Sequence, residues 1–502
     1  MVPNARMLVC IVLAGLAGGE IFLCCRKALW FNRWMGKHLH ILGVCGTAMA
    51  AIAALAKEAG WRVTGSDAGV YPPMSDYLAS IGVEIAAFTA ANLEPSPDLC
   101  VIGNAMSRGN VEVEAILDRG LAYCSGPEFV GNNILPGRHA VVVAGTHGKT
   151  TSSSMMANVL EVAGKSPGFL IGGIPENFSG GARLGEGDPF VLEGDEYDTA
   201  FFDKRSKFLH YRAKTLILNN LEYDHADIFP DLAAIKLQFQ HLLRTVPGTG
   251  CIVANADDAN ITEVLERGCW TPILRFAEYG GAPADWRWQV LSEDASRFRI
   301  YEGDEPPMEV SWGTIGRHNV ANACAVAAAA VSMGVARVDV RKGLQTFEGV
   351  RRRMSLVGEG RGIKIYDDFA HHPTAIKGVV TAAKAAMGKK GRLWVVVEPR
   401  SNTMRSKIHE QQLPSCFDAA DRVLFVPPSA RNLSPAEVLD AEAVCRDIGP
   451  GAQVLADADS IIEAILDEGQ AHDRVLILSN GGFDGIHGRL LRRLQEAGRF
   501  NS

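Results

Sequence analysis

"AVVVAGTHGKTTSSSMMANVL", Ala140 to Leu160, passes from an apolar run through a glycine-framed turn into a helix-like stretch. That order is the usual seat of a phosphate. Glycines let successive backbone amides turn inward on an anion, and the following helix presents its positive end. The common phosphate loop has four residues between its first Gly and Gly-Lys-Ser/Thr. Here only Thr146 and His147 separate Gly145 from Gly148-Lys149-Thr150. The chemistry still fits a nucleotide, with Lys149 reaching the outer phosphates and the Thr150 hydroxyl facing Mg²⁺. A glycine-bounded turn with a surface lysine is the plain alternative.

Working outward, the 502 residues exceed one ordinary core, and three domains of roughly 100–200 residues each are expected. Apolar residues make up 47% and charged residues 21%, the profile of a globular α/β chain. A net charge of −7 gives no basic field for nucleic acid. Eleven scattered cysteines, with no metal-like pairing, suit a reducing, cytoplasmic setting. "MLVCIVLAGLAGGEIFLCC" from Met7 is interrupted by Glu20 and is short for a membrane span. Stable membrane association is not expected. Residues 1–34 are read as an extra, poorly ordered segment before a working start at Met35.

Strand–turn–helix units then repeat. "HLHILGVCGTAMAAIAALAKEAG", "WRVTGSD" and "DLCVIGNAM" form a first α/β unit over 35–137. The phosphate-loop stretch opens a second, 138–349, with "FVLEGDEYD", "TLILNNLEYDHAD" and "GCIVANADD" as strands ending in polar tips. After the alanine-rich "HNVANACAVAAAAVSMG", a third unit over 350–502 holds "GIKIYDDFAHHPTAI", "RLWVVVEPRSNTM" and "DRVLILSNGGFDGIH". Ligands of open α/β sheets gather at the carboxyl ends of strands, where these polar clusters lie.

Glu193 and His225 each follow an apolar strand and can converge on the loop's mouth, completing a cation site with Thr150. Asp195, Glu196, Asp198, Asp224 and Asp227 crowd the same tips, so spacing does not choose among them. Gly43-Val44-Cys45-Gly46-Thr47 is a second cradle, with Asp67 placed like a ribose-binding acid, although the third glycine of a dinucleotide fingerprint is missing. Helix packing explains it almost as well. Asn319 and Asn322 lie one turn apart and can face one planar ligand. Arg352 or Arg353 can reach phosphates, and Arg400 has the fork for a carboxylate. A dehydrogenase would use the first loop and leave the second unexplained. A nucleotide-gated binding module would leave the acid, histidine and arginine clusters unexplained.

Taken in order, "GVCGTAM", "GSD", "AGTHGKTT", "EGDEYD", "NNLEYDHAD", "GRHNVANA", "RRRM" and "DDFAHHPT" resemble the Mur ligase superfamily, the ATP-dependent amide-forming enzymes of cell-wall peptide assembly. The short loop is that superfamily's own. "NAMSRGN", "FFDKRSKF", "EPRSNTM" and "SNGGFDGIH" are similar to its peptidoglycan-recycling branch, which joins UDP-N-acetylmuramate to L-alanyl-γ-D-glutamyl-meso-diaminopimelate. The branch accepting free L-alanine is the alternative, and usually shows Pro-His-Arg where Pro399-Arg400-Ser401 stand here. The resemblance implies three domains: a Rossmann-like UDP-binding domain, a central P-loop ATPase-like domain and a Rossmann-like C-terminal domain. It implies ATP held by Gly145, Thr146, His147, Gly148, Lys149, Thr150 and Thr151, with Asn319 and Asn322 on the adenine side. It gives Mg²⁺ on Thr150, Glu193 and His225, and has Arg353 and Asp368 closing over the nucleotide. Catalytic roles would fall to Lys149, Glu193, His225, Arg353 and Asp368. Gly43, Cys45, Gly46, Thr47, Asp67 and Ser107 would hold the UDP-sugar, and Arg400, Ser401, Asn402 and Asn480 the tripeptide. Several relatives carry a carbamylated lysine where Gln240 stands, and none is expected here.

Overall fold

The computed structural model describes residues 36–70, 74–431 and 433–499. The expectation for residues 1–34 and for a start at Met35 lies outside them. Contacts divide the chain into two units. One holds the described residues through Gly137 together with 182–185 and 198–205, and the other holds the remainder.

The first unit is built on a five-stranded parallel sheet with the order Glu84–Ala86, Arg62–Ser66, His38–Leu42, Leu99–Ile102, Tyr123–Ser125. The order reverses beside His38–Leu42, so the turn after that strand lies at a topological switch point. The helix Thr47–Glu58 follows, burying Ile52, Ala53, Leu55 and Ala56. Beneath the strand ends lies Glu112, with no exposed surface. Its carboxylate accepts from Ser66 Oγ at 2.5 Å, the Thr89 amide at 2.9 Å and Asn92 Nδ2 at 2.6 Å, and meets His40 Nε2 at 3.3 Å. Burial alone would raise its pKa, but these bonds prevail and hold it low.

Residues 182–185 and 198–205 join this unit through specific partners. The Leu184 amide donates to Glu58 Oε2 at 2.8 Å, and Asp198 accepts from Asn104 Nδ2 at 3.3 Å and Lys204 Nζ at 2.6 Å. Asp198, one of the acids that crowd the strand tips in sequence, serves this unit and not the cation site.

The second unit contains two sheets. In the larger, His139–Ala144 lies between the parallel strands Pro189–Gly194 and Thr215–Leu218. Cys251–Asn255 and Ile273–Glu278 continue the parallel array beyond Thr215–Leu218. His139–Ala144 is apolar along its whole core length because both faces are covered. The helix Lys149–Val162 and the alanine-rich helix Arg317–Ser332 pack together on the face that carries Val141 and Val143, and Ala323 through Ala330 are fully buried. The antiparallel strands Trp286–Val290, Arg297–Glu302 and Met308–Ser311, which the sequence reading did not separate, extend this sheet at one edge.

The smaller sheet has the order Ser355–Gly360, Ile363–Asp368, Arg474–Leu478, Leu393–Val397, Arg422–Phe425, Ala452–Val454. Only the first pair is antiparallel among its described ladders. Register sets Asp368 and Val397 on either side of Leu478, so the tips of three strands emerge together. No helix among the described residues is long and apolar enough to cross a membrane.

Removing Glu112 strands several buried donors at once. Glu112→Ala is expected to lower unfolding free energy by about 3 kcal/mol, read by urea denaturation.

Candidate functional site

In the larger sheet, Val143 pairs with Glu193 and Ala144 with both Gly194 and Leu218. That register sets the Gly145–Gly148 turn between a carboxylate-bearing tip and Asn219-Asn220. Gly145 takes φ +138°, and a Cβ there would meet the Asn220 backbone oxygen at 2.9 Å. Gly148, at φ +78°, begins the helix without a side-chain cap. A Cβ on it would lie 2.6 Å from Asn322 Oδ1. Both glycines are therefore needed for backbone angle and for space. The uncapped amides of this helix start are free to receive an anion.

The structure gathers most of the expected loop residues. Thr146 Oγ1 accepts from the Glu222 amide at 2.8 Å, and the His147 amide donates to Asn220 Oδ1 at 2.7 Å. Asn319 Nδ2 is bound to the Ile315 carbonyl at 2.7 Å, and Asn322 Nδ2 reaches Asn319 Oδ1 at 3.4 Å. The two amides thus meet each other beside Gly148.

Lys149 Nζ donates to the Gly145 and Thr146 carbonyls at 2.8 and 3.2 Å and is paired with Glu196 at 2.8 Å. Burial would lower its pKa, but Glu196 and Asp195 overcome that and raise it. The ammonium is fully charged and held in place. Glu196 is the partner that sequence spacing passed over.

Of the expected cation ligands, two face each other: Thr150 Oγ1 donates to Glu193 Oε1 at 2.9 Å. The other Glu193 oxygen accepts the Gly172 amide at 2.8 Å, which fixes the carboxylate's angle. His225 turns instead toward Glu196, Nε2 to Oε1 3.3 Å, from a left-handed backbone at φ +54°. Burial tends to lower its pKa, and Glu196 raises it above the usual value. Ligand atoms of Asp195, Glu196 and His225 lie within 4.8 Å of one another. The acid-rich tip therefore divides into a hydroxyl–carboxylate pair at Thr150 and Glu193 and an imidazole–carboxylate group at His225. Lys236, out of register with the position of the family lysine, is paired with Glu263 at 2.5 Å.

The smaller sheet contributes the other wall. A cleft of about 400 Å³ is lined by His225 and Asp227 from one side and by Arg400, Ser401, Asn402 and Asn480 from the other. All four residues expected for the peptide are in it. Arg400 lies across Gly481, where a Cβ would come within 2.3 Å of its Cδ and push the guanidinium aside, and pairs with Glu398 at 3.3 Å. Asn402 Nδ2 donates to Asp227 Oδ2 at 2.9 Å, and Tyr197 OH donates to the same oxygen.

Asp368 is buried. Its two oxygens accept the amides of Met354 at 2.7 Å and Ala370 at 2.8 Å, which fixes the turn carrying Arg353. Arg353 lies over the Phe369 ring at 5.2 Å. Arg352 is spent on Asp367 and on the Ser479 and Gly481 carbonyls.

In the first unit, Gly43, at φ +75°, Cys45, Gly46 and Thr47 form one turn into the helix, with Met106, beside Ser107, over Gly43. Asp67 accepts from the Cys45 and Gly69 amides, both at 2.9 Å, bracing the turn it was expected to serve as a ribose acid. Ser107 makes a weak bond to the Arg108 carbonyl at 3.4 Å and is otherwise at the surface.

Comparison with known proteins now bears on this geometry. The Mur ligase family catalytic domain matches residues 38–136, the Mur ligase middle domain 143–330, and the Mur ligase glutamate ligase domain 352–481. The UDP-N-acetylmuramate–L-alanyl-γ-D-glutamyl-meso-2,6-diaminoheptandioate ligase of Escherichia coli is 47% identical over 90% of this chain and 97% of its own. The UDP-N-acetylmuramate–L-alanine ligase of Rhizobium etli is 29% identical over 91% of this chain and 97% of its own. A murein peptide ligase from Psychrobacter arcticus superimposes with a TM-score of 0.70 at 43% identity, covering 92% of this chain and 99% of that one.

His372, 4% exposed, is held neutral by burial with its pKa lowered to about 3, and burial lowers buried His409 as well. Unfolding returns both to about 6.5, so the unfolded chain binds more protons below that value. Their stabilising contribution is present above about pH 6.5 and is lost as pH falls toward the folded pKa values. Urea midpoints are expected to drop between about pH 7.5 and about pH 5, and less steeply in His409→Gln.

Proposed function

We propose that this chain, which belongs to the Mur ligase family of ATP-dependent ligases, joins UDP-N-acetylmuramate to L-alanyl-γ-D-glutamyl-meso-diaminopimelate in the cytoplasm, as a step of peptidoglycan recycling. One observation carries the acceptor assignment: Arg400, Ser401, Asn402 and Asn480 share a cleft with His225. A fork donor, two amides and a hydroxyl suit the carboxylates and amides of a peptide better than the single small carboxylate of free alanine. The greater identity to the peptide ligase than to the alanine ligase supports the same reading.

In this reading the muramate carboxylate attacks the γ-phosphorus of ATP, ADP leaves, and an acyl phosphate forms. The peptide's α-amine then attacks the acyl carbon and phosphate departs. Lys149 and the loop Gly145 to Thr151, through the amides at the start of its helix, hold the phosphates, and Asn319 and Asn322 border the nucleotide. Arg353, on the turn fixed by Asp368, supplies a further positive charge. Phosphoryl transfer asks mainly for alignment and charge neutralisation, which these groups provide.

The hydroxyl–carboxylate pair of Thr150 and Glu193 fits Mg²⁺, whereas His225, which faces Glu196, would complete the set only by turning away from that carboxylate. Bound there, the ion would screen the repulsion between triphosphate and carboxylate. The Gly43–Thr47 turn, with Asp67 and Ser107, holds the UDP-sugar.

ADP release is expected only when UDP-N-acetylmuramate and tripeptide are both present, and L-alanine should not replace the tripeptide. Equal turnover with L-alanine would favour the alanine-ligase reading. Lys149→Ala should lower kcat by about 100-fold or more. Arg400→Ala should raise the KM for tripeptide while leaving that for UDP-N-acetylmuramate unchanged.

A further inference from the structure

His147, Glu222 and His372 form a second cluster that the reaction above does not use. Their ligand atoms lie within 4.8 Å of one another. Both imidazoles address one carboxylate oxygen: His147 Nε2 lies 3.2 Å and His372 Nδ1 3.4 Å from Glu222 Oε2. A tetrahedral centre with bonds of about 2.0–2.1 Å holds its ligands about 3.3 Å apart. The two spacings to Glu222 match that edge, and the two imidazole nitrogens lie within 4.8 Å of each other.

The surrounding bonds orient the donors. His372 Nε2 faces the Tyr223 carbonyl at 3.2 Å, which places the proton there and leaves a lone pair on Nδ1. That lone pair accepts a long bond from the Thr374 amide, at 3.4 Å, as the cap of the helix Pro373–Ala385, and a metal would take its place. Thr374 Oγ1 donates to Glu222 Oε2 at 2.7 Å, and the two histidine rings meet at a 44° tilt with centroids 4.3 Å apart.

We propose that His147, Glu222 and His372 form a binding site for a zinc-class divalent cation, separate from the Thr150, Glu193 and His225 set. Two imidazoles and one carboxylate favour zinc, nickel or cobalt, whereas magnesium prefers an all-oxygen shell. The ion replaces the hydrogen between His147 and Glu222, and the His147 proton moves to Nδ1. The site ties the phosphate loop, through His147, to the start of the helix Pro373–Ala385, through His372. Occupancy therefore fastens the larger sheet's loop to the smaller sheet.

The test uses the full chain stripped by chelator and titrated with Zn²⁺ against a chromophoric zinc indicator. The wild type should take one equivalent, and excess Mg²⁺ should not displace it. His372→Gln and the shape-conserving Glu222→Gln should each weaken binding by at least about tenfold. Glu196→Gln, in the neighbouring acidic group, should bind as wild type. X-ray absorption should show two imidazole nitrogens and a carboxylate oxygen around zinc. The proposal is overturned if the wild type binds no zinc, if both cluster variants bind as wild type, if Glu196→Gln is the variant that loses the ion, or if Mg²⁺ displaces it.

Discussion

A buried ammonium has to be answered by negative charge, and around Lys149 much of the site is arranged to meet that need. Its three hydrogens are taken by the Gly145 and Thr146 carbonyls and by Glu196. The two carbonyls curl the turn, and Glu196 occupies the direction from which a phosphate would approach. Leaving such a charge unpaired costs several kcal/mol, so the loop has a fixed shape before any nucleotide arrives. In the proposed reaction, a phosphate that enters would replace one counter-charge with another and would not have to organise the backbone. Glu196, when released, still has His225 at 3.3 Å.

The site's framework was legible because parallel strands deliver their tips to one edge. "AVVVAGTHGKTT", "FVLEGDEYD" and "TLILNNLEYDHAD" each read as an apolar run followed by polar residues, and register then sets Val143 beside Glu193 and Ala144 beside Leu218. The same logic located Asp368, Arg400 and Asn480 at neighbouring strand ends of the smaller sheet. Periodicity alone was enough for these elements.

What stayed hidden was orientation among adjacent acids. Glu193 and Asp195 stand two positions apart and, like Glu196, follow the same strand, so spacing treats them alike. The structure separates them by partner: Glu193 takes Thr150 and the Gly172 amide, Asp195 takes Lys207 at 2.6 Å, and Glu196 takes Lys149. Asp198 leaves the group for the first unit. Asp67 and Asp368 illustrate the same limit, since each reads as a ligand-facing carboxylate yet binds two backbone amides. Long-range partners such as Glu222 with Thr374 join segments 152 positions apart, and no local pattern announces them.

These partners also explain why an acidic tip can serve a polyanionic substrate. Glu193, Asp195 and Glu196 together would repel a bare triphosphate at contact distance. Asp195 is neutralised by Lys207 and Glu196 by Lys149 and His225, so only Glu193 keeps an ionised oxygen whose sole side-chain partner is a neutral hydroxyl. Of these three acids, Glu193 is the one with no ion-pair partner among the described residues, and it lies beside Thr150 at the first turn of the helix Lys149–Val162. In the proposed reaction, a nucleotide accompanied by its own counter-ion would meet attraction there and on Lys149, whereas one without it would meet Glu193 unscreened. Such an arrangement would favour the metal complex over the free anion by charge placement, and it would require Lys207 and His225 as much as the loop itself.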